Sequence, residues 1–117
     1  MNMITKIKPL SPSLRQKKRY LVFEVISEKQ IDFNVVNNII LQNSSNFLGE
    51  LGMAEAGIFL LQDKFDTEKK KGIIKVNHKY VHHLKSALAL INDEDAIFRS
   101  VGVSGILNKA EKKFIAG

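Results

Sequence analysis

The run Tyr20-Leu-Val-Phe-Glu-Val-Ile26 constrains the fold more than any other segment. Its β-branched and aromatic residues suit a pleated strand, and its apolar positions are too continuous for a strand with one face in water. Such a run reads as a strand buried on both faces. A sheet containing it needs cover on each side, and the remaining segments provide for that.

After this strand, Asp32 is placed to cap a helix, with Ile31 and Val36 as a hydrophobic staple. Val35, Val36, Ile39, Ile40, Phe47 and Leu48 recur at helical spacing. Asn34, Asn37, Asn38, Asn43 and Asn46 are mediocre helix formers, so this helix depends on tertiary packing. Gly49 and Gly52 bracket its expected exit. Ala56–Gln62 follows as a second strand, and Gly72–Val76 returns as a third across the polar stretch Asp63–Lys71, giving a hairpin with a long charged loop. Asn77 caps the next helix, with Val76 and Val81 as its staple. Val81, Leu84, Leu88 and Ile91 form its stripe, and Asn92 is suited to a left-handed turn at its end. Ala96–Val103 is a fourth strand. Ser104 then opens a last helix, with Ile106, Leu107, Ala110 and Phe114 inward and Lys109, Lys112 and Lys113 outward.

The order strand, helix, strand, strand, helix, strand is that of the split βαβ arrangement. The fold class expected is α+β, a ferredoxin-like or RNA-recognition-motif-like βαββαβ sandwich. Two helices cover one face of a four-stranded antiparallel sheet, and extra terminal helices cover part of the other. A chain of 117 residues is one domain's worth. Residues 1–18 form an arm, with Ser11-Pro12 placed to start a short basic helix over Pro12–Lys18, and residues 19–117 form the single sandwich domain. Met1–Leu10 do not resemble a signal peptide, and no apolar run approaches the roughly 20 residues of a membrane span. The expected location is cytoplasmic, without a membrane partner. There is no cysteine, which excludes disulfides, thiolate catalysis and thiolate metal sites.

Charge is distributed unevenly. Lys6, Lys8, Arg15, Lys17, Lys18 and Arg19 stand in the first nineteen residues without an acid, and the other twelve cations face twelve acids. The net charge of +6 therefore belongs to the first nineteen residues. Unopposed basic arms most often meet nucleic acid or another anionic surface, and from charge alone a solvated, solubilising tail is the equal alternative. Arg15, Lys17, Lys18 and Arg19 are the leading candidates for phosphate contacts. Lys69, Lys70 and Lys71 in the hairpin loop, with Lys109, Lys112 and Lys113 on the last helix, rank second because nearby acids partly offset them.

Catalytic and metal patterns are weak by comparison. His78 and His82 are four apart, but zinc usually takes three or four protein ligands, and no suitable acid or cysteine is near. Asp93-Glu94-Asp95 lacks the spaced oxygen pattern of a calcium loop. No serine has a histidine or acid at a diagnostic spacing, and no phosphate-binding glycine loop is present. Gly102-Val-Ser-Gly105 leads into a helix, where its glycines suit close packing more than an anion site. Base stacking in the manner of the RNA-recognition motif is not supported either. Ile73, Ile74, Lys75 and Val76 follow Lys71-Gly72 where that motif has aromatics, and Tyr20 and Phe23 lie on opposite faces of one strand. The chain is expected to bind no cofactor and to carry no catalytic residue or metal site.

Taken in order, Arg19–Ser27, Leu48-Gly-Glu-Leu-Gly52 with Ala54-Glu-Ala56, Lys71-Gly-Ile-Ile-Lys75, Tyr80-Val81, Ala87–Ile91 and Val101-Gly-Val-Ser-Gly105 resemble the archaeal ribonuclease P protein component 2 family. This family is the counterpart of a eukaryotic processing-of-precursor subunit. The resemblance implies a subunit of the enzyme that removes 5′ leaders from precursor tRNA, with catalysis and the magnesium ions on the RNA. It also implies pairing with protein component 3, a two-by-two heterotetramer, and contact with the catalytic domain of the ribonuclease P RNA. A ferredoxin-like domain that senses small molecules would explain the strand order but not the arm. A generic RNA-binding module would explain the arm but not the ordered motifs. An acylphosphatase-like enzyme would need a phosphate loop with an arginine, which Ser27–Ile31 does not have.

Overall fold

The structure is a computed structural model in which residues 17–116 are described. The strand at Tyr20–Ile26 becomes β1 (Lys18–Ser27) and lies inside the sheet. β2 (Phe59–Leu60), β3 (Lys71–Asn77) and β4 (Ala96–Ser104) complete the order β2-β3-β1-β4, every neighbouring pair antiparallel. β1 pairs Leu21 with Ile74 and Val22 with Ile73 on one side, and Val25 with Phe98 on the other. The register to β4 shifts between Val22 and Phe23, a bulge that leaves Val101 without a partner.

Alternation along β1 divides the core in two. Leu21, Phe23 and Val25 face α1 (Phe33–Ala56) and α2 (Val81–Ala89), packing with Val36, Ile40, Ile74, Val76, Leu84 and Leu88. Val22 faces the other way with Ile73, against Ala110 and Ile115 of the C-terminal segment. That segment is a short helix, α3 (Leu107–Ala110), continued by a wider π-helical turn over Glu111–Ala116. The predicted double burial of β1 and the ferredoxin-like βαββαβ arrangement are both found. The second cover comes from the carboxyl end. The helix expected at Pro12–Lys18 falls outside the described residues, except that Lys17 precedes β1 and Lys18 opens it.

Several boundaries differ from expectation, each for a local reason. Asp32 caps α1 as predicted, its Oδ1 accepting from the Val35 amide at 3.0 Å. The first helical run does break at the predicted Gly49–Gly52, but a second run follows it directly. Gly49, at φ 78° and ψ 174°, forms the kink between the two runs, and the second ends at Ala56 with Gly57 in the left-handed conformation at φ 59°. The helix thus claims Ala56, and β2 is reduced to two residues of the predicted Ala56–Gln62, because the chain turns through a 3₁₀ turn at Gln62–Lys64. In α1 the buried line runs Val36, Ile40, Ser44 in steps of four. Val35 on its shoulder is exposed, as is Phe47 beyond Ser44. Asn77 caps a 3₁₀ turn (His78–Tyr80) ahead of α2, accepting from the Lys79 amide at 3.1 Å. α2 stops at Ala89, not Ile91, and Asn92 is not left-handed. Among described residues other than glycine, only Lys70 has positive φ. Ser104 does not begin the last helix: its hydroxyl accepts from the Ile106 amide at 3.1 Å in a local turn. Ile106 therefore stays extended and is 51% exposed, contrary to its predicted inward position.

Gly102 shows why the second cover can sit so close. A Cβ there would lie 2.3 Å from the Phe114 ring, so the ring rests directly on the strand backbone. Leu88 is 1% exposed, and Leu88→Ala is expected to lower unfolding free energy by about 2–5 kcal/mol in a urea titration. Gly102→Ala should lower the melting temperature as well, by lifting the C-terminal segment, and near-ultraviolet circular dichroism should report the displaced Phe114.

Candidate nucleic-acid interface

The antiparallel register decides which cations meet. Lys18 pairs with Asn77 and Tyr20 with Ser104, so the start of β1 lies beside the ends of β3 and β4. Lys17, Lys18 and Arg19 therefore share one end of the sheet with His78 and Lys79, and the Lys17 carbonyl accepts from the His78 amide at 2.8 Å. Lys17, Lys18 and Lys79 are exposed, and Arg19 is half-buried. The Arg19 guanidinium donates to the Lys18 carbonyl at 3.1 Å and lies alongside Gly105. The Lys18 ammonium lies over Gly57, about 3.1 Å from where a Cβ would stand.

The opposite end is acidic. Ser27 pairs with Ala96, which brings Glu28 beside Asp93, Glu94 and Asp95. One cation answers them closely, Lys29, whose Nζ lies 3.2 Å from Asp95 in an exposed ion pair. Lys17, Lys18, Arg19 and Lys79 thus gather at the start of β1, and Glu28, Asp93, Glu94 and Asp95 gather at its end, where Lys29 and Lys70 also reach.

The second-rank lysines separate into two groups. Lys69 donates to the Ile115 carbonyl at 2.7 Å, Lys71 to the Phe114 carbonyl at 3.2 Å, and Lys70 to the Ser27 carbonyl. Asp66 organises this loop, its carboxylate accepting from the amides of Glu68 and Lys69, both at 3.0 Å. Two of these ammonium groups thus hold the unpaired carbonyls at the end of the C-terminal helical segment, where positive charge is favoured. Lys109, Lys112 and Lys113 are exposed as predicted, with the Lys113 ammonium 5.5 Å from the Phe114 ring centre. Arg15 lies outside the described residues. Sequence reasoning passed over Lys75 and Lys79. Only strand pairing and the turn after β3 reveal that both lie near the basic end.

Among the described residues, no three histidines or carboxylates gather into a group able to hold a metal ion. His78 lies in the 3₁₀ turn and not on α2 with His82. The His83 ring packs 4.9 Å from that of Tyr80. Gly102–Gly105 is occupied by packing and by the Ser104 turn. This arrangement suits electrostatic attachment to a polyanion, in which cations position the protein without reading sequence.

Beside the basic end, the Tyr80 hydroxyl donates to Glu55 at the end of α1. The phenol's pKa is raised above its ordinary value of 10.0, first by this hydrogen bond, then by desolvation and by repulsion from the carboxylate. Because the folded-state value is raised, the bond's support for the fold is in place below about pH 10 and is lost as pH climbs through the raised value. In an ultraviolet titration, Glu55→Gln should move the Tyr80 transition down toward the ordinary value.

Residues 19–115 match the model of the Rpp14/Pop5 family. The chain is 40% identical over 114 residues to ribonuclease P protein component 2 of Pyrococcus abyssi, covering 95% of both chains. It is 38% identical over 117 residues to the Pyrococcus horikoshii protein of the same name, with 97% of this chain and 96% of that one aligned. The Methanosarcina mazei protein, also ribonuclease P protein component 2, is 36% identical over 112 residues, 93% of each chain. The chain belongs to the Rpp14/Pop5 family.

Proposed function

We propose that this Rpp14/Pop5 family protein is a component 2 subunit of ribonuclease P, which binds and stabilises the catalytic RNA for removal of 5′ leaders from precursor tRNA. The observation that carries this reading is the end-to-end similarity to ribonuclease P protein component 2, 40% over 95% of both chains. The charge distribution supports it. Cations at one sheet end, continuous in sequence with the basic residues 1–16, lower the repulsion between RNA segments that metal ions would otherwise screen. Cleavage chemistry and its magnesium ions reside on the RNA, and the protein holds no cofactor.

Within this role Arg15, Lys17, Lys18 and Arg19 are the leading phosphate contacts, joined by Lys79 at the same sheet end. Lys109, Lys112 and Lys113 form a second exposed group. Lys69, Lys70 and Lys71 rank last, since their ammonium groups already serve backbone carbonyls. The protein partner in this reading is component 3, in a two-by-two heterotetramer on the RNA's catalytic domain, and the setting is the cytoplasm. No helix among the described residues is long and apolar enough to cross a membrane.

Two measurements test the proposal. Replacing Arg15, Lys17, Lys18 and Arg19 with alanine should weaken binding to ribonuclease P RNA and lower the log–log salt slope by about 0.7–0.9 for each phosphate that is no longer neutralised. Melting temperature should change little. Wild-type affinity and slope across the salt series would overturn the role given to these residues. The protein alone should not cleave precursor tRNA with magnesium present. Added with component 3 to the RNA, it should raise turnover or lower the magnesium requirement, and leader cleavage by the RNA-free protein would contradict the reading.

A further inference from the structure

Tyr20 lacks an aromatic neighbour on its own strand, since Phe23 is buried among the helices, but the sheet register supplies one from elsewhere. Phe59 of β2 pairs with Lys75 of β3, and Lys75 pairs with Tyr20 of β1. Directly opposed residues in antiparallel strands point to the same face. Leu60 enters the core beneath the helices while Leu61 joins the opposite cluster, so Phe59 belongs to the face away from α1 and α2. Phe59, Lys75 and Tyr20 therefore form a row across three strands.

The C-terminal segment covers the neighbouring row. Leu61, Ile73 and Val22 pack under Ala110 and Ile115, and Tyr20 leans on the edge of that cluster. Phe59 remains 60% exposed, a large apolar ring on an edge strand. Lys75, beside it, has no carboxylate partner among the described residues. The Lys18 ammonium stands over Gly57, two residues before Phe59, and Glu55 is already engaged by the Tyr80 hydroxyl. An exposed aromatic among cations favours a ligand with a flat π surface and negative charge nearby. Unpaired nucleotides have both, whereas the bases of a duplex are stacked within it and inaccessible.

We propose that Phe59, Lys75 and Tyr20 form a stacking site for one or two unpaired nucleobases of RNA. The base lies on the Phe59 ring, Lys75 takes the adjoining phosphate, and Tyr20 borders the site. The site deepens the RNA-binding role and rests on it, adding a contact to single-stranded RNA beside the electrostatic contacts of the basic end.

The chain has no tryptophan, so Phe59→Trp introduces a single fluorophore at the site. The full-length variant should bind ribonuclease P RNA like wild type, and its emission should be quenched by that RNA and by a short single-stranded oligoadenylate. Phe59→Ala should weaken binding of either RNA roughly five- to a hundredfold, the range of one base–aromatic stack. Its salt slope should stay the same, because a stack neutralises no phosphate. Lys75→Ala should lower the slope by up to about 0.7–0.9, the share of one phosphate. Unchanged emission at RNA saturation overturns the site, as does wild-type affinity of Phe59→Ala in an assay where the arm variant is weakened; either result leaves the RNA-binding role standing. Emission that shifts with component 3 but not with RNA assigns the ring to a protein contact and also overturns the proposal. Failure of the wild-type protein to bind RNA removes the role and the site together.

Discussion

The burial of β1 on both faces is the constraint from which the rest of the structure follows. Val22 and Phe23 are neighbours in sequence, yet each lies in a different hydrophobic cluster, and both are almost wholly removed from water. A strand in this position cannot be served by the two helices of a βαββαβ unit alone, because they cover one face. The C-terminal segment is thus part of the core. Its attachment ties together three otherwise separate details: glycine at position 102, the ring of Phe114 upon it, and two loop lysines reaching the carbonyls of Phe114 and Ile115.

Those lysines illustrate how a charge run changes meaning when the chain folds. In the sequence, Lys69-Lys70-Lys71 is a cationic cluster in a polar loop. In the structure, Asp66 turns the loop so that each ammonium meets a backbone carbonyl. Hydrogen bonds between a charged donor and a carbonyl are stronger than neutral ones. Lys17, Lys18, Lys79, Lys109, Lys112 and Lys113 remain exposed, without such a carbonyl partner among the described residues.

How much could be read from the sequence follows from the range of the interactions involved. Strand identities, the cap at Asp32 and the buried stripe through Leu84 and Leu88 depend on near neighbours, and local pattern reveals them. The two-residue length of β2 depends on the left-handed Gly57 that ends α1 and on the 3₁₀ turn at Gln62–Lys64, and glycine permits the first without requiring it. Ile106 has the spacing of a core residue, but the Ser104 turn keeps it extended. For the interface, the basic start of the chain was legible as composition. The company it keeps was not, since Lys18 beside Asn77 and Phe59 beside Lys75 are facts of register.

The gathering of carboxylates after β1 and of Lys17, Lys18, Arg19 and Lys79 at its start also bears on how the molecule approaches a polyanion. A body whose charges are unevenly placed feels a torque in an external field, so a polyanion favours one approach over another. The favoured approach is the one led by the start of β1, with the carboxylates around Asp93–Asp95 trailing. At 0.1 M salt this alignment acts within a screening length of about 10 Å, less than the 54 Å long dimension of the described body. Such alignment is consequently confined to the last stage of an encounter with a polyanion.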